Sequence, residues 1–195
     1  RNGANPMPAK LSLNEQKQLL TIAREAVNAT ALNQPLPKLD PLQYSDVLNQ
    51  NGASFVTLTI ASDLRGCIGT LEAYQPLIID VQKRAVQAAS QDPRFSPVRP
   101  DELARISIEV SRLSVPQPVD YEHPLDLLTL LKPGQDGVII SEGKRRATFL
   151  PQVWNELPDT KQFLSQLCRK MGCSPDFWEH KKIEVSRYHV EEFSE

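Results

Sequence analysis

Phe55-Val56-Thr57-Leu58-Thr59-Ile60-Ala61-Ser62-Asp63-Leu64-Arg65-Gly66-Cys67-Ile68-Gly69-Thr70 is the stretch on which the reading of this chain turns. Phe55 to Ala61 is rich in β-branched and aromatic residues, and Ser62-Asp63 is a natural turn, so the two runs predict a β-hairpin. Side chains alternate between faces in extended chain. Arg65, Cys67 and Gly69 therefore share one face of the second strand, and Leu64, Gly66, Ile68 and Thr70 the other. A two-residue turn sets Cys67 opposite Leu58, whereas one more residue in the turn sets it opposite Thr59. That choice decides whether the thiol meets aliphatic groups or hydroxyls, and the residues leave it open.

The second strand is chemically dense. A guanidinium beside a thiol favours the thiolate, the form that acts as nucleophile and metal ligand. Gly69 leaves space beside Cys67, and Gly66 permits a bulge or a close backbone approach. Arg65 also offers a fork of donors to an anion. Against this stands the plainer reading of Cys67 as a small buried hydrophobe.

Outward from the hairpin, Ser12-Leu13-Asn14-Glu15 is a capping-box pattern. Leu19, Leu20, Ala23, Ala26, Val27 and Thr30 follow at helical spacing, predicting a helix over about 13–30. A second helix is expected from Pro76 to Ser90. The loop Asp92-Pro93-Arg94-Phe95-Ser96-Pro97-Val98-Arg99-Pro100 is stiffened by proline. Ala104 to Val115 alternates as a strand with one polar face carrying Ser107, Glu109 and Ser111. Further on come a short helix from Pro124, a second hairpin over Val138 to Leu150, a helix from about Asp159 to Met171 stopped by Gly172, and a last strand over Ile183 to Val190.

The chain repeats itself. Ile108-Glu109-Val110-Ser111-Arg112 recurs as Ile183-Glu184-Val185-Ser186-Arg187, 75 residues later. Each copy ends a hairpin-helix-strand unit, and the period exceeds that of solenoid repeats. The expected fold is α+β: duplicated hairpin-helix-strand units in largely antiparallel sheet, plus an N-terminal helix. It reads as a single domain over 11–195 with halves at about 53–115 and 124–193. Residues 1–10 read as a tail or cloning remnant without a signal-peptide core. Aligning the two hairpins at an offset of 80 sets Arg65 against Arg145, Cys67 against Ala147 and Gly69 against Phe149. On that alignment only the first half keeps the thiol and the open space.

Composition narrows the function classes. A net charge of -2 gives no basic footprint for nucleic acid, and no apolar run approaches membrane-spanning length. Three cysteines (Cys67, Cys168, Cys173) without a framework read as reduced and cytoplasmic. Cys168 and Cys173 lack Cys-x-x-Cys spacing. His123, His180 and His189 are scattered without metal-ligand spacing, so no metal site is expected. Gly134-Gln135-Asp136-Gly137 is too short for a phosphate loop, no nucleotide motif is present, and the residues leave any cofactor unknown.

Leu-Arg-Gly-Cys-Ile-Gly at 64–69 resembles the signature of the AMMECR domain family. Phe55 to Leu58, Asp92-Pro93-Arg94-Phe95, Ile108 to Ser111 and Leu150-Pro151-Gln152-Val153 match the family pattern in the same order, over roughly Leu11 to Phe193. The resemblance implies a duplicated α+β fold and no settled biochemical activity. It also implies an association with Memo-like and radical-SAM proteins, the AmmeMemoRadiSam system.

Two function classes follow. In one, Cys67 is a nucleophile, with Arg65, Gly66, Gly69, Asp92, Arg94 and Glu109 forming a substrate or anion pocket. Such a site lacks a histidine base, a role Glu109 would fill if burial raised its pKa. In the other, the chain is a non-enzymatic binding, scaffold or regulatory module in which Arg65, Gly66 and Gly69 form a recognition groove and Cys67 is packing. The expected partner of Arg65 is Glu109, then Asp92, and Cys67 is expected to be the most reactive thiol.

Overall fold

The computed structural model describes residues 9–195; the expected tail over 1–10 lies mostly outside them. The described residues form two compact units, one running to Ser114 and including Glu191–Glu195, the other comprising Val115–Val190.

In the first unit, helix α1 (Leu13–Ala31) starts where the sequence places it. Ser12 Oγ accepts from the Glu15 N–H, and the Glu15 carboxylate accepts from the Ser12 N–H. A short helix α2 (Asp46–Asn49) precedes strands β1 (Ala53–Ile60) and β2 (Asp63–Gly69), helix α3 (Leu77–Ser90) and strand β3 (Ile106–Leu113). In the second unit lie β4 (Gln117–Pro118), α4 (Leu127–Leu130), the hairpin β5 (Gly137–Glu142) and β6 (Arg145–Phe149), α5 (Thr160–Met171), α6 (Phe177–His180) and β7 (Glu184–Tyr188). Strand β8 (Val190–Ser194) closes the chain. The single last strand expected over Ile183 to Val190 is thus two strands. The chain breaks at His189, and β8 joins the first unit's sheet, where Phe193 enters its core.

The expected duplication is present as topology. The first sheet has the order β2-β1-β3-β8 and the second β6-β5-β7-β4. In each, a hairpin leads into a long helix and then a strand that pairs antiparallel with the hairpin's first strand. The apolar stripe of α1 (Leu19, Ala23, Ala26, Val27) is fully buried with Val81, Ala85 and Ala88 of α3 against Val56, Leu58, Ile108 and Val110. In the second unit Phe163, Leu164 and Leu167 of α5 bury Val138, Ile140 and Val185.

The register of the first hairpin differs from both sequence alternatives. Its two-residue loop is Ala61-Ser62, at φ 50° and 69°, one residue earlier than the expected turn. Positive φ at both central residues is the signature of the hairpin turn whose twist matches the strands. A β-bulge then shifts the pairing between Leu58 and Thr59, leaving Arg65 as the extra residue. Cys67 consequently faces Thr57.

The same bulge displaces the internal alignment. Val110 faces Val56, which faces Ile68; Val185 faces Ile140, which faces Ala147. The structural counterpart of Cys67 is therefore Arg146, not Ala147. Because alanine and serine do not favour positive φ, Ala61→Asn with Ser62→Gly is expected to raise stability by about 0.5–2 kcal/mol. A chemical denaturation midpoint that stays unchanged or falls would contradict the turn assignment.

Candidate functional site

β2 is the outer strand of its sheet, and the loop after α3 covers its edge. The Cys67 N–H donates to Asp92 Oδ2 at 3.0 Å, and Arg94 Nη2 reaches the Cys67 carbonyl at 3.5 Å. Arg94 is in turn held to Asp92 through Nε at 3.1 Å and Nη2 at 2.8 Å. Two side chains thus occupy the places a further strand would take, which protects the edge from pairing. Asp92 is buried, while the Arg94 side chain is 57% exposed and stacks over Phe95 with 5.5 Å to the ring centroid. Arg94 and the backbone N–H donors hold the Asp92 carboxyl far below the ordinary carboxylate range.

Arg65 does not join this group. Standing at the bulge, it makes a two-pronged ion pair with Glu102, Nε to Oε2 at 2.8 Å and Nη2 to Oε1 at 3.0 Å. It also donates to the Ser96 and Pro97 carbonyls at 2.8 and 3.2 Å. The expected partners, Glu109 and Asp92, are both replaced by Glu102, which lies on a 3-10 turn spanning Pro100–Arg105. The bulge explains the change, because it takes Arg65 out of the alternation that would set it on the face of Cys67 and Glu109. Glu102 is nearly buried, and Arg65 with the Arg99 N–H lowers its carboxyl to about 2.

The two glycines of the signature are closed by packing. A Cβ on Gly66 would stand 2.3 Å from the Ala88 carbonyl oxygen of α3, and one on Gly69 would stand 2.2 Å from the Phe55 ring. The space expected beside the thiol at Gly69 is filled by that ring. Gly66 is a close backbone approach, one of the two roles its position allowed.

Cys67 is half-buried, with Sγ 3.3 Å from Thr57 Oγ1. Burial pushes its thiol up, and the Thr57 hydroxyl and Arg94 only partly oppose this. This reverses the acidified thiol expected from a neighbouring Arg65, whose guanidinium is spent on Glu102. Thr57 is the cross-strand partner of Cys67 on one side and of Glu109 on the other. Burial, helped by Glu192, raises the Glu109 carboxyl. The structure therefore gathers Cys67, Asp92 and Arg94 at the edge and lines up Cys67, Thr57 and Glu109 across the sheet, while Arg65 is removed to a separate lock.

Sequence reasoning missed Thr57 and Glu102. It also missed Asp80, which is fully buried and accepts from Ser54 Oγ at 2.6 Å, Gln75 Nε2 at 2.8 Å and Arg84 Nη2 at 3.1 Å. The spacing of Asp80 and Arg84, four residues apart, was a legible signal for that pair. Among the described residues no group of three or more His, Cys, Asp or Glu side chains is placed to hold a metal ion, and no helix is long and apolar enough to cross a membrane.

Fold and site together define a class: paired α+β units of one topology, the first with a glycine-flanked cysteine on a capped outer strand. A family profile described as AMMECR1 matches residues 20–193, and the chain belongs to that family. A protein of Methanothermobacter thermautotrophicus is 39% identical over 188 residues, covering 96% of this chain and 97% of the relative. Protein MJ0810 of Methanocaldococcus jannaschii is 39% identical over 155 residues, 78% of this chain and 77% of its own. The crystal structure of uncharacterized protein PH0010 from Pyrococcus horikoshii aligns with a TM-score of 0.87 at 30% identity, covering 96% of this chain and 94% of that one.

Proposed function

We propose that this chain is a binding protein that takes a partner protein or a small molecule on the polar face of β1, β2 and β3, with Cys67 as a structural thiol. The observation that carries the reading is how fully the signature residues are committed inside the fold. Arg65 is spent on Glu102 and two carbonyls, Asp92 on Arg94 and the Cys67 N–H, and both glycines on close packing. What stays half-buried and polar on the sheet face is Thr57, Thr59 and Glu109, beside the exposed arm of Arg94. Memo-like and radical-SAM proteins are the partner classes that the family resemblance implies. Calorimetric titration with a purified Memo-like protein tests the first of these, and an absence of heat and of co-elution removes it.

A second reading is favoured by the cross-strand line of Cys67, Thr57 and Glu109. A carboxyl raised by burial is the base that a thiol site without histidine needs. Iodoacetamide labelling across pH separates the two. In the binding reading, native Cys67 reacts far more slowly than in unfolded chain, and its rate climbs only above the ordinary thiol range of about 8.5. A native rate that levels off near neutral pH, and loses that plateau in Glu109→Gln, would establish the catalytic reading instead.

A further inference from the structure

The second unit contains a thiol arrangement that the spacing of its cysteines conceals. Helix α5 ends at Gly172, whose φ is +88°. The Gly172 N–H donates to the Arg169 carbonyl at 3.0 Å and the Cys173 N–H to the Cys168 carbonyl at 2.9 Å. These two bonds define a Schellman cap, which brings the side chain two residues beyond the helix end onto the one three residues before it. Here both of those residues are cysteines. Standard bond lengths added to the 2.9 Å hydrogen bond limit the separation of their Cα atoms to about 7.1 Å, and the bend at the Cys168 carbonyl carbon shortens it further, into the span a disulfide accepts.

The two thiols differ in surroundings. Cys168 is fully buried in the second unit's core, and burial pushes its thiol up. Cys173 is half-buried and packs against the same cluster. Arg145 Nη1 donates to Cys173 Sγ at 3.2 Å and to the Gly172 carbonyl at 3.1 Å, so the β5–β6 hairpin clamps both the cap and its sulfur. The arginine-to-thiol contact sought at Arg65 and Cys67 is found here.

We infer that Cys168 and Cys173 are a peroxide-oxidisable dithiol, in which Cys173 is the attacking sulfur and Cys168 resolves it into a disulfide. The Cys173 thiolate attacks one oxygen of hydrogen peroxide. An S–O bond forms, the O–O bond breaks, and the departing hydroxide takes up a proton as water, leaving a sulfenic acid. Cys168 then gives up its proton as its sulfur attacks Cys173. The S–S bond forms, the S–O bond breaks, and the hydroxyl leaves as water with that proton. Two thiols lose two electrons and the peroxide is reduced to two waters. The guanidinium of Arg145 donates to the attacking sulfur, while the cap ties the Cys173 backbone to that of Cys168.

The test is hydrogen peroxide titration of the full chain, followed by alkylation of the remaining thiols and peptide mapping. The expected product is an intramolecular Cys168–Cys173 link that dithiothreitol reverses, with Cys67 still free to alkylate. Cys168→Ser is expected to stop at a Cys173 sulfenic acid that dimedone captures. Arg145→Gln is expected to slow link formation severalfold with an unchanged circular dichroism spectrum. A wild-type chain that stays folded and keeps both thiols under excess peroxide, or that oxidises Cys67 first, overturns the inference. That measurement decides it even if a variant fails to fold.

Discussion

Gly66→Ala is expected to destabilise the first unit by about 3 kcal/mol or more, among the largest effects of any single methyl group in this chain. The added Cβ would lie 2.3 Å from the Ala88 carbonyl oxygen and 3.2 Å from its carbonyl carbon. Both are backbone atoms of the last turns of α3, and neither can rotate out of the way. Relief requires β2 and α3 to separate, in a core where Ala85, Ala88, Val56 and Leu58 are all at most 2% exposed. Interiors this tightly packed transmit such a shift instead of absorbing it.

Gly69→Ala gives the control. Its Cβ would meet the Phe55 ring at 2.2 Å, but a half-buried ring has a side-chain torsion through which to retreat. Urea denaturation of both variants should rank Gly66→Ala well below Gly69→Ala. A Gly66→Ala midpoint within about 0.5 kcal/mol of wild type would show that α3 moves freely over the strand.

Local patterns in the chain were legible and long-range pairing was not. The capping box at Ser12 and Glu15, the stripe from Leu19 to Val27, the stop at Gly172 and the alternation of Ile106, Ile108 and Val110 are all written within a few residues of one another. Each appears in the structure where those residues put it. The register of the first hairpin was not legible, because its turn uses Ala61-Ser62 in place of an Asn-Gly pair and a bulge follows it. One extra residue reverses facing, so the same slip moved Arg65 off the face of Cys67 and changed the structural counterpart of Cys67 from Ala147 to Arg146. Glu102 stands 37 residues from Arg65, and nothing local in either segment announces the pair. The Cys168–Cys173 proximity was hidden for a related reason: the backbone closure that creates it belongs to a helix cap, not to a redox motif.

Acid should unfold this protein partly through Glu102, and Glu102→Gln should already cost about 3 kcal/mol near neutral pH. The variant leaves the Arg65 guanidinium, 14% exposed, without its counter-charge, and removing one member of a buried pair is far more costly than never having had it. The pH dependence follows from the direction of the shift. The folded carboxyl is lowered to about 2, chiefly by its hydrogen bonds from Arg65, while in unfolded chain it titrates near 4.3, a gap worth about 3 kcal/mol. As pH falls, the unfolded chain takes up the proton first. The stabilisation is therefore complete above the unfolded value and fades as pH approaches the folded one. Asp92, also held low, adds a loss of the same sign. Urea midpoints measured from about pH 7 down to about pH 3 should fall steeply for wild type and less steeply for Glu102→Gln, so that the two curves draw together in acid. Adding Arg65→Met to Glu102→Gln should recover part of the loss, because the unpaired charge is then gone, although the Ser96 and Pro97 carbonyls lose their donor. Parallel curves for wild type and Glu102→Gln would mean that the carboxylate at Glu102 is not what acid titrates, and the lock between the bulge and the 3-10 turn would then stabilise by packing alone.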